Sequence, residues 1–144
     1  IVRADGNQWF AERIVPTVAG VFAAGLKATG LIDAFVEVLK SSNEIARWGG
    51  SFGPFIMAAI TGSGDAATFA FNEAVTPHAA SFGMPIPNLG AMALISGQMG
   101  RTMSPIAGVV IVLSGLAMVP PIQLVKRTAI PLIVGVVVLA LTIV

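Results

Sequence analysis

The sequence contains no cysteine, which excludes disulfides and thiolate metal sites and leaves the redox compartment unmarked. Charge is nearly as scarce. Eight basic and seven acidic side chains in 144 residues make 10%, against about 25% in a soluble domain. So few charges cannot coat a water-facing globule of this size, and 56% of the residues are hydrophobic. Lipid is the solvent that removes the need for a polar coat. The Lys and Arg residues are scattered and the net charge is +1, so there is no basic patch for nucleic acid. Residues 1–10 lack the basic start and apolar run of a signal peptide. The chain opens instead on a polar stretch from Arg3 to Gln8, without Met, as expected of the C-terminal piece of a longer polypeptide. Also missing is an uninterrupted apolar run of full membrane length. Residues 105–119 and 129–144 are uncharged, yet each falls short of the roughly 20 residues an upright span needs. Some crossing must be assembled from pieces.

What is present divides the chain. Residues 1–13 form an extramembrane lead-in, and Trp9 is read as an interface anchor. Residues 14–30 read as a scaffold membrane helix whose Gly20 and Gly25 permit close packing, with Lys27 snorkelling to the interface. Residues 31–48 are expected to hold an amphipathic interfacial arm helix and a loop carrying Trp48. Leu31, Ile32, Phe35, Val38 and Leu39 recur at helical spacing there, Asp33, Glu37 and Lys40 fall opposite, and Ser41 to Glu44 breaks the helix. Residues 49–128 are expected to supply a transport unit of hairpin, broken helix and following loop, and residues 129–144 a terminal membrane helix.

Within 49–128 a pattern occurs twice. The apolar residues 51–61 are interrupted by Gly62, Ser63, Gly64 and Asp65, and residues 66–80 resume as a helix former. The apolar residues 88–99 are interrupted from Gly100 to Ser104, and residues 105–119 resume. At about 1.5 Å per residue, arms of this length reach roughly 17–18 Å into a hydrocarbon core about 30 Å thick. Both breaks therefore fall near mid-membrane, where bare backbone must line a cavity or be buried in protein. The expected class is an all-α integral membrane protein in which residues 51–81 form a re-entrant helical hairpin and 88–119 a transmembrane helix unwound at its middle. Residues 1–13 and 120–128 then share a side and carry Arg3, Arg13, Lys126 and Arg127, against Lys40 and Arg47 opposite, with Lys27 close by. The positive-inside bias expects these two segments in the cytoplasm and the C-terminus outside.

Each break ends in a helix N-terminus, which carries open N–H groups and partial positive charge. One helix is expected to start near Asp65 and the other at Ser104-Pro105, with Ser104 as N-cap and Pro105 in the first position. Two converging N-termini form a site for anions, a device that discontinuous helices serve in transporters. A substrate with two carboxylates suits two such ends. Arg101 at that depth needs a partner: a substrate carboxylate held bidentately, or Asp65 or Glu73 in a structural ion pair. Asp65, Thr68, Asn72 and Thr76 make a polar stripe on one face, which lines a substrate or ion path or else bonds to neighbouring helices. Asp65 is a cap or a cation or proton ligand, and Glu73 a proton carrier or a partner for Arg101. His78, the single histidine, is read as a locally bonded residue near the interface. The substrate-site candidates are thus Gly62, Ser63, Gly64, Asp65, Thr68, Asn72, Gly100, Arg101, Thr102, Ser104 and Pro105, with Asp65 and Glu73 for a coupling ion or proton.

The run from Gly62 to Glu73, then Thr76-Pro77-His78, and downstream the run from Gly97 to Pro105, resembles the DcuC family of anaerobic four-carbon dicarboxylate carriers within the ion transporter superfamily. The likeness covers most of the chain beyond about Gln8. It implies an inverted-repeat design in which each repeat holds one re-entrant hairpin and one unwound helix, with Leu31–Lys40, 51–81 and 88–119 matching the second repeat. It further implies a multi-pass protein of the bacterial inner membrane with a periplasmic C-terminus, no enzyme activity, and exchange of succinate for fumarate or cation-driven uptake. An elevator-type movement, a homodimer, an N-terminal repeat of the same polypeptide as partner, and no cofactor beyond a coupling Na+ or H+ follow in the same way. Better-studied superfamily members carry Ser-Asn-Thr at the hairpin tip, where this chain has Gly62 to Asp65, so their detailed contacts do not transfer.

Three other readings compete. A carrier for another organic anion or an amino acid shares the fold, and a basic substrate would take Asp65 and Glu73 as ligands. An intramembrane hydrolase using Ser63 and His78 requires the base within hydrogen-bond reach of the nucleophile, yet the two stand about 20 Å apart along the arm. A structural membrane subunit has no use for two mid-membrane breaks.

Overall fold

A computed structural model of the chain describes residues 13, 14, 17, 20, 21, 24, 25, 28–41 and 43–143. All regular structure among these is helical. The expected lead-in and much of the scaffold helix, with Trp9 and Lys27, lie outside the described residues, and those described between 17 and 28 are helical. Gly30 then turns the chain in the left-handed region, φ +72°, which a residue without Cβ enters freely.

Helix α1, Leu31–Lys40, places Asp33 in its first turn and Lys40 in its last, matching the helix dipole. Leu39 is buried and Phe35 half-buried as the spacing predicts, with Asp33, Glu37 and Lys40 exposed, but Val38, expected on the apolar face, is 57% exposed and Val36 is buried instead. Helix α2, Asn43–Thr61, is 19 residues long and starts well before residue 51, so the loop expected up to residue 48 is helical from Asn43. Glu44 in its first turn complements the positive N-terminus, and Ala46 is already buried in the core. Pro54 sits inside α2, buried, and cannot donate to the Gly50 carbonyl.

At Gly62 the backbone turns back with φ +73°, and helix α3, Gly64–Ala74, begins. It was expected to continue to residue 80, but α-geometry stops at Ala74 and a 3-10 segment, Thr76–Phe82, follows. The cause is Pro77, which has no N–H for the Glu73 carbonyl and crowds it. Helix α4, Ile86–Thr102, starts after Pro85. Helix α5, Gly108–Leu116, begins later than expected, with Ala107 rather than Ser104 as N-cap. Ser104 is fully buried with its hydroxyl unbonded, so it caps nothing. Helix α6, Pro121–Thr142, is 22 residues long and reaches about 33 Å. The loop expected at 120–128 is therefore the first turns of this helix, which Pro121 suits at its start. Lys126 and Arg127 read as loop residues, but both extend from the exposed helix surface. Among the described residues α6 is the one helix long and apolar enough to cross a membrane, with a mean hydropathy of 2.1 and 22% of that stretch buried.

Contacts fix the directions. A Cβ on Gly50 would lie 2.6 Å from Leu89 Cδ1, and further along both helices Gly100 abuts the Phe55 carbonyl. Helices α2 and α4 thus run side by side in the same direction. Helix α3 runs opposite to α4: Thr68 Oγ1 donates to the Ala93 carbonyl at 3.2 Å, and Gly64 stands against Gly97 and Gln98. Phe71, Val75, Phe82, Leu89, Met92 and Ala93 form the core between them. Helix α6 lies across α2 and α4, with Gly135 against Met99. The consequence for the site is direct: the turn at 62–63 and the break at 103–107 lie at one level.

Candidate functional site

Ser63 opens the first helix end. Its backbone is extended, φ −127° and ψ 107°, and its Oγ accepts from the Ala66 N–H at 3.2 Å. Thr61 braces the turn from the other arm, its Oγ1 donating to the Met57 carbonyl at 2.8 Å and accepting from the Ser63 N–H at 3.3 Å. With the cap on Ala66, the N–H groups of Gly64 and Asp65 have no partner inside α3. The second helix end is barer. Ala107 offers no side chain to cap α5, so its first-turn N–H groups stay open. Gly62 joins the two: a Cβ there would lie 3.1 Å from Ile106 Cγ1 and 3.3 Å from the Ala107 nitrogen. The hairpin tip is thus seated on the start of α5.

Between them lies Ser104. Its N–H donates to the Arg101 carbonyl at 3.1 Å and its carbonyl accepts from the Ala107 N–H at 3.2 Å, forming a tight turn. Its hydroxyl is fully buried and has no partner. Pro105 beside it is exposed. Thr102 is exposed, and its Oγ1 donates to the Met99 carbonyl at 2.7 Å.

Arg101 is half-buried in the last turn of α4. Among the described residues no ion pair joins it to Asp65 or Glu73. The reason is geometric. Asp65 Oδ1 instead accepts from Gln98 Nε2 at 2.7 Å. Glu73 lies about 12 Å further along α3, with its Oε1 3.3 Å from where a Gly20 Cβ would stand. It is therefore away from the breaks.

The polar stripe faces α4. Thr68 is bonded to the Ala93 carbonyl, and Asn72 Oδ1 accepts from Thr76 Oγ1 at 2.8 Å. Thr68 ties α3 to α4 and Asn72 is bonded within its own segment, which leaves the tip, rather than the arm, as the polar opening. Gly100, pressed on the Phe55 carbonyl, sets the approach of α2 to α4. His78 is exposed in the 3-10 segment, its N–H on the Val75 carbonyl at 2.9 Å, remote from Ser63. The structure thus gathers Gly62, Ser63, Gly64, Asp65, Arg101, Thr102, Ser104 and Pro105 at one level, and sets Thr68, Asn72 and Glu73 apart. Gln98 belongs with the first group although the sequence reading passed over it. The available signal was an amide one helical turn before an arginine expected at mid-membrane depth.

Two hollows lie nearby. One, of about 460 Å³ between α1, α2 and α3, is walled by Phe35, Val38, Ile56, Met57 and Phe71; its apolar walls give a carboxylate nothing to bond. The other, a groove of about 440 Å³ between α4 and α6, is edged by Gln98 and Thr102 among apolar residues. Among the described residues no three His, Asp or Glu side chains gather as a metal would require.

The chain is similar to known transporters. The DcuC family, described as C4-dicarboxylate anaerobic carrier, matches residues 13–144. A Haemophilus influenzae protein named only as an uncharacterised transporter is 56% identical over 136 residues, which is 94% of this chain and 49% of that protein. The anaerobic C4-dicarboxylate transporter DcuC of Escherichia coli K12 is 36% identical over 140 residues, 90% of this chain and 29% of its own length. A Vibrio cholerae relative carrying the same DcuC name is 38% identical over 126 residues, covering 83% and 27%. This chain therefore spans about half of the first relative and less than a third of the others. No solved structure matches it. A chain matched from residue 13 to its last residue, and built of helices alone among its described residues, belongs to the DcuC family of C4-dicarboxylate carriers.

Proposed function

We propose that this chain is the substrate-binding part of a secondary transporter for four-carbon dicarboxylates, and that the anion sits where the hairpin tip meets the start of α5. The observation that carries the reading is the contact of Gly62 with Ala107, which sets two helix N-termini together beside an arginine free of Asp65 and Glu73. Open N–H groups and the guanidinium all donate, and a dicarboxylate accepts at both ends. Ser104 supports it with a buried hydroxyl in want of a partner. The DcuC name of the E. coli relative gives the substrate class.

In this reading α2 and α3 are a re-entrant hairpin and α4 and α5 one unwound crossing. From Gly49, beside Trp48 at the interface, to Thr61 the first arm reaches about 20 Å, which brings the tip near mid-membrane. Asp65 is the candidate for a coupling Na+ or H+, since it alone of the two acids stands at the breaks. The exchange of succinate for fumarate, an elevator movement, a homodimer and the inner-membrane orientation with 120–128 cytoplasmic belong to the same proposal. The test uses the full-length protein in proteoliposomes. Labelled succinate is expected to enter vesicles loaded with fumarate, and Arg101→Leu to lower that uptake at least about a hundredfold, the loss of a charge-assisted bidentate contact of roughly 3 kcal/mol. Wild-type vesicles that take up no succinate, with or without an ion gradient, would remove the assignment.

A further inference from the structure

Gln98 and Arg101 are three residues apart on α4, so their Cβ atoms stand about 5–6 Å apart on one face. The Gln98 amide lies across the first turn of α3. Its Nε2 donates to Asp65 Oδ1 at 2.7 Å, and its Oε1 would stand 2.9 Å from a Cβ on Gly64. A glycine at position 64 is what lets the amide lie there. Asp65 is thus held by an amide that stands one helical turn before Arg101, a step that the long arginine side chain can cover. Opposite charges that close attract, and more so where water is thin. Yet among the described residues they form no ion pair. Such a pair would occupy the guanidinium fork, the donor set that a substrate carboxylate needs.

We propose that Gln98 is a positioning residue: by holding Asp65 Oδ1 it keeps Asp65 off Arg101 and leaves the guanidinium open to an anion. Its chemistry suits the task. The amide donates to a carboxylate but carries no charge, so it satisfies Asp65 without repelling an incoming dianion. The value of an open Arg101 rests on the anion site proposed above, whereas the arrangement itself does not.

The experiment therefore reads Arg101 directly. The full-length carrier in proteoliposomes is treated with phenylglyoxal, which modifies accessible guanidinium groups, and labelling at Arg101 is followed by peptide mass spectrometry without substrate. Gln98→Leu is expected to slow labelling at least about threefold, the scale of one partly exposed ion pair. Asp65→Asn in the Gln98→Leu background is expected to restore the wild-type rate. Gln98→Asn, whose amide is too short to reach Asp65, gives the same slowing and serves if the leucine variant does not assemble. An unchanged rate in both Gln98 variants would overturn the proposal. So would a slowed rate that Asp65→Asn leaves slow, because the cause would then be packing. The labelling pattern stands or falls without succinate, so a failed transport assay and a failed Gln98 assignment are told apart.

Discussion

Ser51 and Ser104 are both fully buried, and both carry a hydroxyl with no partner. Leaving such a group unpaired costs about 1–3 kcal/mol, so two of them in one small bundle call for reasons. Ser51 lies inside α2, away from the breaks. Ser104 lies at the turn between α4 and α5, among the groups that converge on the proposed anion. The two should part company on mutation. Ser51→Ala is expected to raise stability by about 1 kcal/mol and leave succinate uptake unchanged. Ser104→Ala should be equally stable or better, yet lose at least about tenfold in succinate affinity, the ~1.4 kcal/mol of one hydrogen bond to a charged group. Thermal unfolding in detergent with uptake measured in parallel checks both. A Ser104→Ala carrier with wild-type affinity would reduce that hydroxyl to packing.

A re-entrant hairpin requires α2 and α3 to enter and leave on one side of the membrane. Glu44, at the start of α2, and Ser81, in the 3-10 segment, are both exposed and suit labelling, whereas Ser51 is buried. The stretch has no native cysteine, so single cysteines at 44 and 81 can be placed in a background freed of any others. An impermeant maleimide is expected to label both from the same side, and labelling from opposite sides would mean that the hairpin spans the membrane. A second test is steric. Gly100→Ala pushes a methyl into the Phe55 carbonyl, and should cost about 1–3 kcal/mol as overpacking does; a variant of wild-type stability would show that α2 and α4 are not so close. Both turning points could be read from the sequence, because Gly62-Ser63-Gly64 and Gly100 to Ser104 interrupt apolar runs. The helix ends could not. Ser104-Pro105 looks like a cap and first turn, but burial of Ser104 in the tertiary fold moved the start of α5 to Gly108. Residues 43–48 and the basic pair Lys126-Arg127 read as loop, because composition alone does not distinguish a loop from the end of a helix. Gln98 escaped because its partner, Asp65, is 33 residues away, a pairing that exists only once α3 has folded back along α4.

The molecule as a whole presents an apolar exterior around a polar junction. Leu116 is 77% exposed, Met118 91% and Ile130 74%, a surface suited to lipid or to further polypeptide rather than to water. The breaks are the interruption in that exterior where donors gather, and they do so through three separate helices, α3, α4 and α5. In the full-length carrier the remaining half or more of the polypeptide would complete the cavity around them. The central claim is that a dicarboxylate occupies the junction where the hairpin tip meets the start of α5, and substrate protection tests it most directly. Thr102→Cys, at the exposed edge of the break, is to be labelled with maleimide in proteoliposomes beside the control Ser81→Cys, with and without succinate. Succinate and fumarate are expected to slow labelling at position 102 and leave position 81 unchanged, while acetate, with one carboxylate, slows neither. Labelling at position 102 that saturating succinate does not alter, in protein that still exchanges succinate for fumarate, would contradict it.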